Sequence, residues 1–139
     1  MTQRTHARKR PAAKMTLHPD EKIAGVLAPL FALRGVHDLG IGDVGALREF
    51  LEWAREAGFR MVQLLPVNET GGDHSPYNSI SSVALEPTTI ELTHDAVPDL
   101  IAGDIERIAD RARIEVMRVG PVNYPAVKEL KSRLLECAF

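Results

Sequence analysis

The sequence predicts an α/β fold in which two parallel strands are joined by an amphipathic helix. Apolar residues occupy both alternating faces of Ile23 to Leu33 and of Met61 to Val67, a pattern typical of strands covered on both sides. Because the connections are short, the strand, helix and strand are expected to form a right-handed βαβ unit. Apolar side chains with helical spacing predict the helix between the strands, at Leu47, Phe50, Leu51 and Ala54.

Residues with special backbone chemistry predict the ends of these elements. Pro29 is expected at the C-terminal end of the first strand, because it has no amide to donate within a sheet. Asp43 is a candidate N-cap, since its carboxylate can accept amide hydrogens of the first helical turn. Gly58 is expected to terminate the helix.

The second half of the chain contains an extended segment and two further predicted helices. Val83 to Leu92 is expected to be extended, and helices are predicted over Asp104 to Arg113 and Pro125 to Ala138. Ile114 to Val119 is compatible with a short strand or with an extended connector. The inward faces assigned to the two helices comprise Ile105, Ile108, Ala109 and Ala112 in the first, and Val127, Leu130, Leu134 and Cys137 in the second.

Length and composition are those of one globular domain. The chain has 139 residues, of which 45% are hydrophobic and 26% charged. Its longest nearly apolar run, Val26 to Leu33, is far shorter than the ~20 residues that span a bilayer, so no membrane partner is predicted. Cys137 is the only cysteine and is expected to be a buried apolar side chain. With no secretion signal in the sequence, a single cysteine favours a cytoplasmic location.

The charge of the chain is distributed unevenly. Residues 1–14 contain basic but no acidic side chains, so all 19 acidic residues lie in the rest of the chain. A basic segment can contact nucleic acid or anionic surfaces, but a solvated, disordered tail over residues 1–22 is the preferred interpretation. No nucleic-acid partner is therefore predicted, and residues 23–139 are treated as the folded unit. Met15 is an alternative start of translation.

Two polar loops follow the C-terminal ends of the predicted strands, where α/β folds bind their ligands. The first is Arg34 to Gly45 and the second is Asn68 to Ser82. The second loop combines hydrogen-bonding side chains and glycines with one aromatic residue, Tyr77. Such a mixture suits a sugar, whose hydroxyls need donors and acceptors and whose apolar ring face needs an aromatic platform. On composition alone, an ordinary surface loop is the alternative.

Other kinds of chemical site have weaker support. His37 precedes Asp38 and Asp73 precedes His74, but four ligands at a recognised spacing are absent, so no metal site is predicted. The glycine-rich segment from Gly40 to Gly45 lacks the spacing of a phosphate loop. No cofactor is expected.

Five motifs occur in a fixed order along residues 23–139. They are Gly25-Val-Leu-Ala-Pro-Leu-Phe-Ala-Leu, Leu39-Gly-Ile-Gly-Asp-Val-Gly, Phe50-Leu-Glu-Trp-Ala-Arg-Glu-Ala-Gly, Gln63-Leu-Leu-Pro-Val-Asn with Ser75-Pro-Tyr-Asn-Ser, and Val122-Asn-Tyr-Pro-Ala-Val-Lys-Glu-Leu-Lys. In order and spacing, this set resembles the opening of the amylomaltases, the disproportionating 4-α-glucanotransferases.

The resemblance implies a (β/α)8 TIM-type barrel that is incomplete in this chain. The chain would supply the first βα units with an inserted helical segment. The implied activity is retaining transfer of α-1,4-glucan segments between maltooligosaccharides, with maltooligosaccharide or a glycogen-type glucan as substrate. In this family the nucleophile, the acid/base and a stabilising carboxylate lie on later strands. No catalytic residue maps onto this chain, which is therefore expected to be an inactive piece by itself.

The resemblance also implies which residues contact the glucan. Tyr77 corresponds to a residue that lines the glucose subsite beside the nucleophile, and Ser75, Asn78 and Asp43 lie in or beside motif positions near that pocket. The family often has Gly-Asn-Pro and Ile-Asp-Leu where this chain has Leu85-Glu-Pro and Ile90-Glu-Leu, which indicates a divergent branch. The alternative is a maltooligosaccharide-binding or interaction module without catalysis. The sequence leaves the oligomeric state open.

Overall fold

The structure is a computed structural model that describes residues 20–100 and 103–139. Most of the basic tail, and with it the predicted disorder of residues 1–19, lies outside the described residues. No helix within the described ranges is both long and apolar enough to cross a bilayer. The elements are β1 (Gly25–Ala28), α1 (Val44–Glu56), β2 (Met61–Leu64), α2 (Asp104–Ile108), α3 (Arg111–Val119) and α4 (Tyr124–Ala138), with 3-10 helices at Leu30–Ala32 and Pro87–Thr89.

The first three elements confirm the predicted strand–helix–strand arrangement. β1 and β2 pair in parallel, from Gly25 opposite Met61 to Ala28 opposite Leu64. α1 connects them, and its N-cap is Asp43, as predicted. Gly58 ends the helix in the left-handed region, with φ of 87°. The fold is therefore α/β, with a two-stranded parallel sheet in the described part of the chain.

The strands are shorter and more exposed than their apolar sequences predict. β1 ends before Pro29, as expected, but the residues after it form a 3-10 helix instead of continuing the strand. Leu27 is 55% exposed and Met61 is 44% exposed, so the prediction of buried strands was wrong. Each strand has one neighbouring strand in the described ranges, and apolar residues on a face without a cover remain accessible to solvent.

The helical segment after residue 103 differs from its prediction. The single helix expected over Asp104 to Arg113 is divided into α2 and α3, because Asp110 accepts a hydrogen bond from the Ala112 amide and starts a new helix. A short polar side chain is more favourable as an N-cap than inside a helix. α3 then includes residues 114–119, so neither a strand nor an extended connector forms there. Ala112 is exposed, contrary to its predicted inward position. The segment predicted as extended over 83–92 is likewise interrupted by the 3-10 helix Pro87–Thr89.

Helix α4 is the centre of the packing. It starts close to the predicted position, where Asn123 is the N-cap and Pro125 lies in the first turn. We call the buried cluster around it the α4 core; its members are Leu39, Ile41, Leu92, Leu100, Ala109, Met117, Val127, Leu130 and Leu134.

Cys137 is exposed, so its predicted burial was wrong. In the last turn of α4, Leu135 and Ala138 pack against the core instead. With 3.6 residues per turn, the inward face of a long helix drifts around the axis, and here it has moved past position 137.

Candidate functional site

The polar loop after β2 folds back on itself, so its two ends lie together. Asn68 bridges Leu85 and Thr70 bridges Ser79, both antiparallel. Backbone hydrogen bonds reinforce the pairing, including one of 2.9 Å from the Ile80 amide to the Glu69 carbonyl. The paired ends support a projecting tip made of residues 71–78.

The tip of the loop brings Ser75, Tyr77 and Asn78 together in one tight turn. The Asn78 amide donates to the Ser75 carbonyl oxygen at 3.0 Å, with Pro76 in the second position of the turn, where its fixed φ is favourable. Asp73 accepts hydrogen bonds from Asn78 Nδ2 at 2.8 Å and from the Ser75 amide at 3.3 Å. These bonds, that from Asn78 foremost, hold the pKa of Asp73 below its usual value. Tyr77 is 76% exposed, so its ring is available to a ligand.

Glu86 fastens the base of the loop. Its carboxylate accepts hydrogen bonds from the amide and hydroxyl of Thr70 at 3.1 Å each, and from those of Thr88 at 3.3 and 3.0 Å. Burial alone would raise the pKa of Glu86, but these hydrogen bonds outweigh it and lower the pKa. An ionised Glu86 therefore links the start of the loop to the 3-10 helix that follows it.

The tip also contacts α4. The His74 ring stacks on the Tyr124 ring, with centroids 4.2 Å apart and planes 4° from parallel. Together with Phe31 and Pro76, these two residues help to line a small cavity of about 30 Å³ between the loop and the 3-10 helix after β1. His74 has a φ of 53°, which is uncommon for a residue other than glycine.

Asp43 lies in a different environment from the other three predicted site residues. It is buried, caps α1 through the Ala46 amide at 3.0 Å, and lies 3.9 Å from Lys131 Nζ. Lys131 Nζ donates to the Ile90 carbonyl oxygen at 2.6 Å. Burial raises the pKa of Asp43 and lowers that of Lys131 to about 8. The structure thus shows Asp43 as a helix cap, and its contact with a sugar stays a prediction.

A spacious cleft lies apart from the loop. It has a volume of about 660 Å³ and is lined largely by charged and polar side chains, among them His94 and Arg111. Several of its charges pair within the wall, such as Arg48 with Glu91 at 3.0 Å. Among the residues that the structure describes, no three histidine, cysteine or acidic side chains lie together as a metal site. The exposed aromatic ring of Tyr77 lies at the loop instead.

Comparison with known proteins determines the family. A sequence profile described as 4-alpha-glucanotransferase matches residues 28–139. The chain belongs to the 4-alpha-glucanotransferase family. It is 37% identical over 111 residues to the 4-alpha-glucanotransferase of Chlamydia caviae, which is 80% of this chain and 21% of the relative.

Two more 4-alpha-glucanotransferases show the same relationship. The enzyme of Chlamydia pneumoniae is 39% identical over 107 residues, covering 77% of this chain and 20% of the relative. The enzyme of Aquifex aeolicus is 33% identical over 121 residues, which cover 85% of this chain and 23% of the relative. The chain therefore spans about a fifth of the length of these relatives. The resemblance expected from the five motifs is confirmed.

Three residues that contribute to the candidate site or its support were not predicted from the sequence. Glu86 was noted only as a departure from the family pattern, although an acid two residues before Thr88 can cap a turn. Lys131 falls on the apolar stripe of α4, which indicates a buried charge that needs partners. The contact of His74 with Tyr124 joins distant segments and has no local signal in the sequence.

Proposed function

We propose that this chain forms one wall of the glucan-binding site of a retaining 4-α-glucanotransferase, with Tyr77 as the aromatic platform. The observation that carries the proposal is the exposed Tyr77 ring on a turn held by Asp73, in the loop beyond the C-terminal end of β2. An aromatic ring can cover the apolar face of a glucose unit, while Ser75 and Asn78 offer hydrogen-bonding groups beside it. The substrate class is a maltooligosaccharide or a glycogen-type α-1,4-glucan.

We further propose that residues 23–139 are the first βα units of a (β/α)8 barrel, with α2 to α4 as the inserted helical segment. Parallel pairing of β1 and β2 across α1 supports this, since a barrel is built by repeating that unit. A barrel of this kind needs ~250 residues. The exposure of Leu27 and Met61 is what the proposal expects of strands whose further neighbours lie elsewhere in the protein.

The proposed division of labour assigns the reacting carboxylates to other parts of the enzyme. A retaining reaction needs two carboxyl groups about 5 Å apart around the scissile bond, one as nucleophile and one as acid and base. The tip of the loop has one carboxylate, Asp73, and Asn78 and the Ser75 amide already bind it. The chain alone is therefore proposed to bind glucan without transferring it.

Calorimetric titration with maltoheptaose tests the binding role of Tyr77. We expect Tyr77→Phe to retain affinity, because the ring remains, and Tyr77→Ala to lose about tenfold or more, as expected when a stacking platform is removed. Equal affinity of Tyr77→Ala and the wild type would contradict the binding role.

Incubation with maltotriose tests the division of labour. We expect no glucose and no longer oligomers from the isolated chain. Their production, at a level abolished by heat denaturation, would show that the chain contains its own catalytic groups.

A further inference from the structure

We propose that His74 is a positioning residue, which stacks on Tyr124 and so fixes the direction in which Tyr77 faces the glucan. This inference rests on the proposed function of Tyr77. It adds a role for His74 and for the first residue of α4, neither of which contacts the sugar in the proposal.

The stack connects the loop to α4 and to the residues that follow β1. Tyr124 follows the N-cap Asn123, whose side chain accepts a hydrogen bond from the Ala126 amide at 3.1 Å. Its ring also packs edge-on against Phe31, at 6.4 Å between centroids, in the 3-10 helix after β1. His74 therefore rests on a ring whose position is set by both α4 and the residues that follow β1.

The backbone of His74 indicates that its ring contact outweighs a local cost. A φ of 53° favours glycine, and two glycines, Gly71 and Gly72, are available just before it. Neither of them has a positive φ; the left-handed residue is the histidine. A non-glycine residue keeps such a conformation when its surroundings compensate. The parallel stack on Tyr124 is one compensating contact, and the hydrogen bond from the His74 amide to the Gly71 carbonyl oxygen at 3.1 Å is another.

The turn transmits this constraint to Tyr77. His74 is followed directly by Ser75 and Pro76, and the proline ring fixes its own φ. On the other side, Asp73 holds the Ser75 amide and the Asn78 side chain. Since Tyr77 is largely exposed, the backbone beneath it sets its direction. The stack on Tyr124 and the hydrogen bonds to Asp73 both constrain that backbone. Removing the stack should release the first of these constraints.

Fluorine NMR of the chain labelled with 3-fluorotyrosine measures this directly, because Tyr77 and Tyr124 are its two tyrosines. Tyr77→Phe assigns the signals. The variants are His74→Ala, His74→Gly and His74→Phe, with His37→Ala as the matched control in the first polar loop. His74→Gly matters most, since it removes the ring while accepting a positive φ without cost.

Without sugar, we expect the Tyr124 signal to change position in His74→Ala and His74→Gly, because both variants remove the ring that stacks on Tyr124 in the wild type. The Tyr77 signal should shift and narrow towards that of a mobile tyrosine in the alanine and glycine variants, but not in the phenylalanine variant. With maltoheptaose, affinity should fall roughly 2- to 10-fold in the alanine and glycine variants, the range for loss of one aromatic pair. It should stay within about 2-fold in the phenylalanine and control variants.

Wild-type affinity and an unmoved Tyr77 signal in His74→Gly would overturn the positioning role. A second result would also overturn it: the alanine and glycine variants unfold at a lower urea concentration in parallel with their loss of affinity, and His74→Phe restores neither property. His74 would then be a general stabiliser of the fold. If the wild-type Tyr77 signal does not respond to maltoheptaose, the proposed function fails. The sugar-free signals of the His74 variants still decide whether His74 fixes Tyr77.

Discussion

Leu134 in α4 is fully buried, whereas Leu27 in β1 has 55% of its surface exposed, although both were predicted to be core residues. The same contrast separates the α4 core from what we call the open sheet face, formed by Leu27 and Met61. Apolar patterning identifies a face that is suited to burial. Whether the face is buried depends on which segments pack against it. The segments that pack against α4 lie within the described part of the chain.

Truncation of Leu134 should have the largest effect on stability. Leu134→Ala leaves a cavity in the α4 core and should lower the free energy of unfolding by about 2–5 kcal/mol. Leu51→Ala, the matched change at an exposed position of α1, should cost less than about 1 kcal/mol because that side chain is 45% exposed. Urea denaturation measures both. Similar losses in the two variants would contradict the comparison.

The buried Lys131 should make the α4 core more stable at high pH. Burial lowers its pKa from 10.5 to about 8, and Asp43, Asp38 and Glu91 oppose the shift. Between these values the unfolded chain binds more protons than the folded one, so stability should rise by about 2 kcal/mol from pH 8 to pH 10. The rise should be absent in Lys131→Met.

Measurements of this rise should stop near pH 10. The pKa of Tyr124 is raised by burial and by Glu86. Above pH 10 the ionisation of Tyr124 therefore lowers the free energy of unfolding, which opposes the effect of Lys131. A wild-type stability that is flat or falling between pH 8 and pH 10 would show that Lys131 is not buried as a charged group.

Glu86 should stabilise the loop without affecting the α4 core. In Glu86→Gln, amides within the loop pairing, such as those of Glu69 and Ile80, should exchange with solvent roughly five- to tenfold faster, equivalent to about 1 kcal/mol. Amides of α4 should be unchanged. The pKa of Glu86 is lower in the folded chain than its usual value of 4.5. Its contribution to the stability of the loop is therefore present above pH 4.5 and is lost as the pH falls through the pKa of Glu86 in the folded chain. The variant and the wild type should therefore converge in acid, and a difference that persists there would exclude this explanation.

A substitution on the open sheet face should change self-association of the chain more than its free energy of unfolding. Leu27→Lys should reduce self-association in sedimentation equilibrium, because a charge on an uncovered strand opposes edge pairing. Its free energy of unfolding should change by less than about 0.5 kcal/mol. Val119→Lys is the control, since Val119 is exposed on α3. An equal reduction in the control would mean that the effect depends on net charge alone.

Local signals in the sequence predicted the helices whose ends are marked by a capping residue, a glycine or a proline. Asp43 and Gly58 delimit α1, and Pro125 lies in the first turn of α4, close to the predicted start. The division between α2 and α3 also has a local signal, the cap Asp110, but the apolar spacing of the neighbouring residues favoured one continuous helix. Where a cap and an apolar stripe disagree, the hydrogen bond at the cap determined the outcome.

Contacts between distant segments could not be predicted in this way. The stack of His74 on Tyr124 and the hydrogen bond of Lys131 to the Ile90 carbonyl depend on how the loops return to α4. The candidate loop itself was predicted from its composition and from the motif around Tyr77. Its contacts with Glu86 and with α4 were not predicted, because they join segments that are distant in the sequence.

Amide chemical-shift mapping with maltoheptaose tests the central claim most directly. In the 15N-labelled chain, we predict saturable shifts concentrated in residues 71–80 around Tyr77, with the α4 core and the open sheet face unchanged. No saturable shift in that segment, or shifts confined to the charged cleft lined by His94 and Arg111, would contradict the account.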